Sequence, residues 1–460
     1  MLPTTQYSSL ALSMLLLLGC SAHYDLVEPS VFIATDWHTP QQETITVWES
    51  QWWKNFQDPK LDLLVERVMS TNHDLALATL TLKQARLNAN LDRDQQIPDL
   101  AAGVSGNRSK DLNHGDTSNN YQARISVSYE VDLWGKLSAT IDESQWKALA
   151  TQQEREATAQ SLVATTAQLY WQIGYLKQRI RLSQQDIDNA IQNFNLAQSQ
   201  YTHGATSRLT VLETKRSLAG LEAAHRDYQQ QYRQASNALA ILFEQDPEQA
   251  AIEIDQQPAQ ALPAISAGIP AEVLARRPDV KQALYQLQAF LAAKESTRRS
   301  YFPALTLTGA LGGSSTELKK LLSDPIGTLG ADLTLPFLNW NEMQLKRDIA
   351  QVQYESAIIN YRKTLYAAFQ DVDNALSARE NYQYQAEKLV QQWQSAAEAM
   401  RIYQSQYQHG AIEIKTLLDA QENERNARAA LLENDYHQRV TLSTLYRSLG
   451  GQTILIEEES

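Results

Sequence analysis

Apolar and polar positions alternate without a break from Tyr121 to Leu133. The odd positions are Tyr121, Ala123, Ile125, Val127, Tyr129, Val131 and Leu133, and the even positions are Gln122, Arg124, Ser126, Ser128, Glu130 and Asp132. A period of two is the mark of a β-strand with one apolar face and one polar face. Further along, Leu329, Ala331, Leu333, Leu335 and Phe337 alternate with Gly330, Asp332, Thr334 and Pro336. Leu305, Leu307 and Leu311 alternate with small or polar residues just before them. The strand that opens at Pro98 has the weakest pattern of the four. Two hairpins are predicted, at about 98–133 and 303–338. The long stretches between them read differently. Residues 136–202 contain no proline and one glycine, Gly174, and residues 341–408 contain neither. Alanine, glutamine, leucine and glutamate fill both, and these are good helix formers. One unbroken helix over 136–202 would be ~100 Å long at ~1.5 Å per residue.

The chain is duplicated. Residues 198–205 read QSQYTHGA and residues 404–411 read QSQYQHGA, at an offset of 206 that also pairs Trp134 with Trp340. Asp74 with Asp279, Pro98 with Pro303 and Leu100 with Leu305 pair at an offset of 205. Such a constant period marks an internal repeat. Each half reads helix, hairpin, very long helix, tight turn, long helix. The turns fall at His203-Gly204 and His409-Gly410, where glycine suits a helix C-cap. The return helices run over 209–243 and 415–448. The chain divides into residues 1–19, 20–57, repeat one over 58–250, a linker over 251–270, repeat two over 271–450 and a tail over 451–460.

Four strands cannot close a barrel, and open sheet edges are too costly in lipid. If these strands cross a membrane, the chain must assemble with copies of itself, and three copies give twelve strands. The segments 107–120 and 313–326 read as long polar loops. Tyr129, Trp134, Phe337 and Trp340 stand at strand ends as interfacial aromatics do. A soluble coiled-coil scaffold is the reading from a different class, and the two alternating hairpins count against it.

Residues 10–18 (LALSMLLLL), Gly19 and Cys20 read as a short signal-peptide core with a lipobox-like end, which assigns residues 1–19 to a signal peptide and Cys20 to covalent lipid attachment. Cys20 is the only cysteine in the chain. No later apolar run reaches the ~20 residues of a membrane helix. The formal net charge of −13 argues against nucleic-acid binding, which needs lysine and arginine to neutralise phosphate. No hydrolase, zinc-protease, P-loop or dinucleotide motif is present, so neither enzyme activity nor a cofactor is expected. His203 and His409 lie far from a second ligand in sequence, and no metal site is expected there.

Three further motifs carry a resemblance. Near the start stand Trp52-Trp53, Phe56, Asp58-Pro59, Leu61, Leu64-Val65, Asn72 and Asp74-Leu75. Repeat two opens with Leu274, Arg276-Arg277-Pro278-Asp279-Val280 and then Phe302-Pro303, Leu305, Leu307 and Gly309. The first strand-to-helix junction reads Glu130-Val131-Asp132-Leu133-Trp134-Gly135-Lys136. Together they resemble the outer membrane factor family of TolC-like exit ducts, and its lipoprotein (NodT-type) branch, over nearly all of residues 50–450.

The resemblance implies a mainly α fold with a membrane β-barrel part. It implies a homotrimer with a twelve-stranded barrel in the outer membrane and a twelve-helix periplasmic tunnel. A passive efflux duct for drugs, detergents or metals is implied, fed by an inner-membrane transporter of the RND type through a periplasmic adaptor; the alternative is a conduit for type I protein secretion. It places a periplasmic aperture at Asp419, with Thr416, Glu213 and Thr210 in related places, and a latch at Tyr407. Ile412 stands where the latch's cationic partner is expected, which leaves Arg208 and Lys415 as candidates. The adaptor is expected at the two turns, at His203, Gly204, Arg208, His409, Gly410 and Glu413. Asn341 stands where the family has glycine, and it is expected to keep a left-handed turn there.

Overall fold

A computed structural model describes residues 36–37, 51–244, 262–263, 265, 270–323 and 325–451. The signal-peptide assignment, Cys20, most of the linker and nearly all of the tail lie outside these residues. Among them the order is α1 (Pro59–Thr71), α2 (His73–Asp94), β1 (Asp99–Lys110), β2 (Thr117–Val131), α3 (Lys136–Thr202), α4 (Arg208–Leu242), α5 (Pro270–Arg276), α6 (Pro278–Arg299), β3 (Ala304–Ser315), β4 (Ile326–Thr334), α7 (Trp340–Gln408) and α8 (Ile414–Ser448). The fold is mainly helical. The described residues form two compact units that cut across the repeats: one holds those within 80–154 and 281–364, the other those within 32–79, 155–280 and 365–460.

The first unit contains the sheet. All neighbours are antiparallel, in the order β1-β2-β3-β4. Two expectations are corrected in it. The first loop is short: Asn107 to Lys110 pair with Asn120 to Thr117, and only residues 111–116 turn the chain. Backbone hydrogen bonds build that extension, and the turn closes where Asp111 Oδ1 accepts the Asn113 amide at 2.8 Å. Asn341 makes no left-handed turn; the chain leaves β4 through a 3-10 turn at Pro336–Leu338, and α7 is already helical from Trp340. The equivalent glycine in repeat one, Gly135, does take φ +75°.

The second unit is a helical core. Asp58 caps α1 by accepting the amides of Lys60 and Leu61, with Pro59 at the first helical position where its missing N–H costs nothing. Leu61, Leu64, Val65 and Val68, one face at helical spacing, are buried. They pack with Trp52, Trp53 and Phe56, with Trp171 of α3 and with Tyr446 of α8. Trp52 stacks on Tyr446 at 5.0 Å and Phe56 lies 4.7 Å from Trp171. Asp58 also accepts the Tyr170 hydroxyl at 2.6 Å, so the Asp58-Pro59 motif ties α1 to α3. Arg277 gives the second motif its role. Almost wholly buried, it donates to Asp279 at 2.7 and 3.0 Å, to Asp371 at 3.0 Å and to the carbonyl of Ser448 at 3.1 Å, binding the start of α6 to α7 and the end of α8.

Candidate functional site: a two-faced sheet and two helix tips

Register shows what the alternation builds. Leu100 faces Val127 and Ala102 faces Ile125 across β1 and β2. Ile125 faces Leu311 and Tyr129 faces Leu307 across β2 and β3. Leu305 faces Leu333 and Gly309 faces Leu329 across β3 and β4. Side chains alternate between faces, so these residues share one side of the sheet. The other side carries Arg124, Ser126, Ser128, Thr306, Thr308, Thr328, Asp332 and their neighbours. The apolar face is bare: Leu329 is 94% exposed, Val104 77% and Leu100 72%. A water-soluble sheet would hide that face against a core. No described helix is long and apolar enough to cross a membrane.

The first junction after β2 is braced by Asp132, Lys136, Trp134 and Arg299. Asp132 accepts the amides of Leu137 and Ser138 at 3.0 and 2.9 Å and so caps α3. Lys136 pairs with Glu130. Trp134 donates to the carbonyl of Pro303 at 2.8 Å, and its ring lies 5.3 Å from that of Phe302. Arg299 donates to the carbonyl of Gly135 at 3.1 Å; a Cβ at Gly135 would sit 2.5 Å from that guanidinium.

In the second unit the α3–α4 and α7–α8 tips are built alike. Gly204 and Gly410 take φ +74° and +72°. The amides of Ala205 and Ala411 reach the carbonyls of Gln200 and Gln406, and those of Gly204 and Gly410 reach Tyr201 and Tyr407. This is the Schellman closure, which satisfies the last carbonyls of a helix. His203 Nδ1 lies 2.8 Å from the carbonyl of Ser199, and His409 Nδ1 lies 2.7 Å from that of Ser405. A carbonyl only accepts, so Nδ1 holds the proton in each ring and the histidine serves its own helix end. Among the described residues no group of three or more His, Cys, Asp or Glu is placed to hold a metal.

The aperture candidates lie just beyond these turns. Thr210 accepts from Thr206 at 3.0 Å, and its amide donates to Ser207, the cap of α4. Thr416, Glu413 and Arg208 are exposed and Glu213 is half-buried. Tyr407 is half-buried and its hydroxyl lies 3.5 Å from Gln200, a long contact that links the ends of α7 and α3. Partial burial raises the Tyr407 pKa. Asp419 is not alone. Lys415, one turn before it, donates to both its carboxylate oxygens at 2.9 and 3.1 Å. That bond raises the Lys415 pKa. Lys415, read in the sequence as a latch candidate, is committed here to Asp419.

Sequence reasoning missed a polar tie between α3, α7 and α8. Arg428 donates to both oxygens of Asp186, at 2.8 and 3.1 Å, while Glu424 accepts the Trp393 indole at 3.1 Å and sits 3.7 Å from Arg428. The four-residue spacing of Glu424 and Arg428 was visible, but their cross-helix partners were not. A Ser–His contact, Ser183 with His225 at 2.7 Å, also escaped notice. The Gln229 amide faces His225 Nε2 at 2.8 Å, which makes that nitrogen the acceptor and puts the ring proton on Nδ1. The Ser183 hydroxyl is spent on the carbonyl of Ile180. With no acid behind the ring, this pair lacks the arrangement that activates a nucleophile.

Comparison with known proteins places this architecture. The family described as outer membrane efflux protein matches residues 64–243 and 269–451. A probable efflux pump outer membrane protein of Pseudomonas putida, TtgC, is 28% identical over 97% of this chain and 96% of its own. The outer membrane protein OprJ of Pseudomonas aeruginosa is 28% identical over 96% and 95%. Among solved structures, the open state of the Neisseria gonorrhoeae MtrE outer membrane channel is 27% identical, covers 94% of this chain and 98% of its own, and superposes with a TM-score of 0.85. The Campylobacter jejuni CmeC outer membrane channel, at 24% identity, covers 94% and 95% with a TM-score of 0.88 and shows the shared fold. That fold is the one of trimeric outer-membrane channels, whose barrel three chains complete. With matches over both repeats and nearly the whole length, the chain belongs to the outer membrane efflux protein family.

Proposed function

We propose that this chain is the outer-membrane duct of a tripartite efflux pump, passing small toxic compounds from an inner-membrane transporter, of the RND type, through a periplasmic adaptor to the exterior. The observation that carries the reading is the register of the sheet. One face is apolar across all four strands and bare, and the other is polar. Three copies put the first face against lipid and the second around an aqueous lumen. Among relatives, the printed names cover toluene efflux, antibiotic efflux and pyoverdine export. The duct itself is passive and needs no cofactor; its partner supplies the energy.

The lipid on Cys20 belongs to this proposal. So does the assignment of the two exposed turns to the adaptor, through His203, Gly204, Arg208, His409, Gly410 and Glu413. Asp419 and Glu213, with Thr416, Thr210 and the Tyr407 contact, form the aperture. In this chain the Asp419 ring within the aperture is close to neutral, because each Asp419 brings its own Lys415. A ring of paired charges selects cations weakly, unlike a ring of bare carboxylates.

A second reading has one observation behind it. A toxin and drug export protein of Aggregatibacter actinomycetemcomitans is 26% identical over 88% of this chain and 89% of its own, so protein export through an ABC-driven type I system is the competitor. One experiment separates them. A cysteine at Arg208 or Glu413, with Cys20 blocked, is cross-linked in whole cells and the trapped partner identified by mass spectrometry. An adaptor of a proton-driven pump supports efflux of small compounds, an adaptor of an ABC secretion system supports protein export, and a soluble monomer with no envelope partner overturns both.

A further inference from the structure

The helical unit holds a cavity of about 140 Å³ lined by Leu262, Pro263, Arg379, Gln383, Gln438 and Leu442. Helical spacing builds two of its walls. Arg379 and Gln383 stand one turn apart on α7, and Gln438 and Leu442 one turn apart on α8, so each pair shares a face. Leu262 and Pro263 supply the third wall. Leu262 and Ile265 pack on the core that contains Trp171, and Ile265 also packs on a smaller cluster with Trp37, Val372 and Leu445. The α8 wall is held too. Gln438 donates to Asn434 at 2.8 Å, and Asn434 donates to the carbonyl of Tyr382 at 3.2 Å. The hollow is therefore built before any ligand arrives.

Its charge has no counter-charge. Arg277, Arg299, Arg428 and Arg439 each have a carboxylate oxygen nearby, at 2.7, 3.7, 2.8 and 3.4 Å. Among the described residues Arg379 has none, and no acidic side chain lines the cavity. Arg379 Nη1 donates to the carbonyl of Ile265 at 2.7 Å, which fixes the guanidinium plane. Its Nε is shut off from solvent and has no partner. Burial lowers the Arg379 pKa, the sign expected of a cation with no anion beside it. A buried donor of a charged group left unpaired is costly. The edge left open, Nε with Nη2, is the one that holds a carboxylate through two parallel N–H···O bonds.

We propose that this hollow binds a small organic carboxylate, its oxygens on the Nε–Nη2 edge of Arg379 and its short hydrocarbon body among Leu262, Pro263 and Leu442. Gln383, exposed and without a hydrogen-bond partner among the described residues, supplies a further amide donor. One guanidinium, with no lysine or second arginine in the lining, suits a singly charged anion better than a phosphate. The apolar lining suits an acid with a carbon body better than a bare inorganic ion. A water takes about 30 Å³ in the liquid, so there is room for several non-hydrogen atoms. Once bound, the acid joins the Leu262–Pro263 segment to α7 and α8 and stabilises the unit by mass action.

The test titrates butyrate into the detergent-purified full-length chain, read by calorimetry and by the thermal midpoint. Butyramide, of the same shape without the charge, is the control. A net charge of −13 keeps anions from gathering on the surface at large, so a saturable signal reports a built site. Saturable binding and a raised midpoint are expected with butyrate and not with butyramide. Arg379→Gln should weaken binding at least ~10-fold, the loss of hydrogen bonds to a charged group. Gln383→Glu, at an exposed position where the fold tolerates the change, should also weaken it by bringing a carboxylate of the chain itself to the guanidinium. A blocked tripeptide with a free C-terminal carboxylate separates the two sources of such a group. Tighter binding than butyrate, lost on amidation, assigns the site to a polypeptide end; weaker binding assigns it to a free acid, and either result keeps the site. No saturable binding of butyrate or the tripeptide, equal binding of butyramide, or unchanged binding in both variants would overturn it.

Discussion

The helical core around Trp171 and the apolar face of the sheet hold the same kinds of side chain in opposite settings. In the core, Trp171, Leu61 and Val65 have no exposed surface at all. On the sheet, Leu100, Leu311 and Leu329 lie bare. Hydrophobicity does not separate the two regions; periodicity does. The core residues recur at helical spacing, on faces that other helices of the same chain cover. The sheet residues recur at every second position over four strands in register, on a face that none of the described residues covers. A folded chain that keeps such a face open has a different solvent there, and for this family that solvent is lipid.

The largest expected effect tests the core side of the comparison. Trp171→Ala should cost about 3–5 kcal/mol, the range for emptying a large buried aromatic, read as a drop in the thermal midpoint of the detergent-purified trimer. The sheet side comes next. Leu329→Arg should cost about 2–4 kcal/mol of barrel stability if the residue lies near the bilayer midplane, while Thr328→Arg, one residue away on the polar face, should assemble normally. Equal damage from both would break the two-face assignment. Arg277→Met should also destabilise the helical core. The loss should fall below the ~3–5 kcal/mol of a fully buried pair, since Asp279 and Asp371 are 42% and 54% exposed and water takes up part of their charge; the thermal midpoint checks this too.

A pH titration sharpens the contrast, because burial raises three phenol pKa values in the core. Desolvation pushes Tyr175 up to about 12 and also raises Tyr170 and Tyr436. A raised folded-state value means that the unfolded chain loses its proton first. The core should keep full stability below the unfolded phenol value, near pH 10, and lose it as pH rises toward 12. Tyr175→Phe should weaken that alkaline loss, followed by circular dichroism. The smallest effect is expected at the exposed tip. Lys415→Met should leave the thermal midpoint unchanged, since a surface pair contributes little. It should increase cation selectivity in single-channel recordings by uncovering Asp419.

Much of this architecture was legible in the chain. The absence of proline from 136–202 and 341–408 marked both long helices, and glycine after histidine marked both tips. The unbroken alternation of β2 marked the barrel wall. What the sequence hid has physical reasons. The outer part of the first hairpin pairs Asn107 to Lys110 with polar partners through backbone groups and a Ser109–Ser118 hydroxyl bond, and such pairing leaves no apolar signature. At Asn341 the expectation came from a family glycine, yet the 3-10 turn at Pro336–Leu338 turns the chain earlier and needs no left-handed residue. Lys415 and Asp419 stand four apart on one helix, a readable ion-pair spacing, but the spacing alone does not fix which partner the lysine takes, and the structure gives it to Asp419. The Asp186–Arg428 tie joins residues 242 apart, which no local pattern reveals.

The central claim is that the two sides of the sheet meet different solvents. A single cysteine placed at Leu329 or at Thr328, with Cys20 blocked, can carry an environment-sensitive fluorophore in the bilayer-embedded trimer. The account predicts that nitroxide-labelled lipid quenches the probe at Leu329 and aqueous iodide does not, with the reverse at Thr328. Iodide quenching at both positions, with no effect of the lipid label, would contradict it.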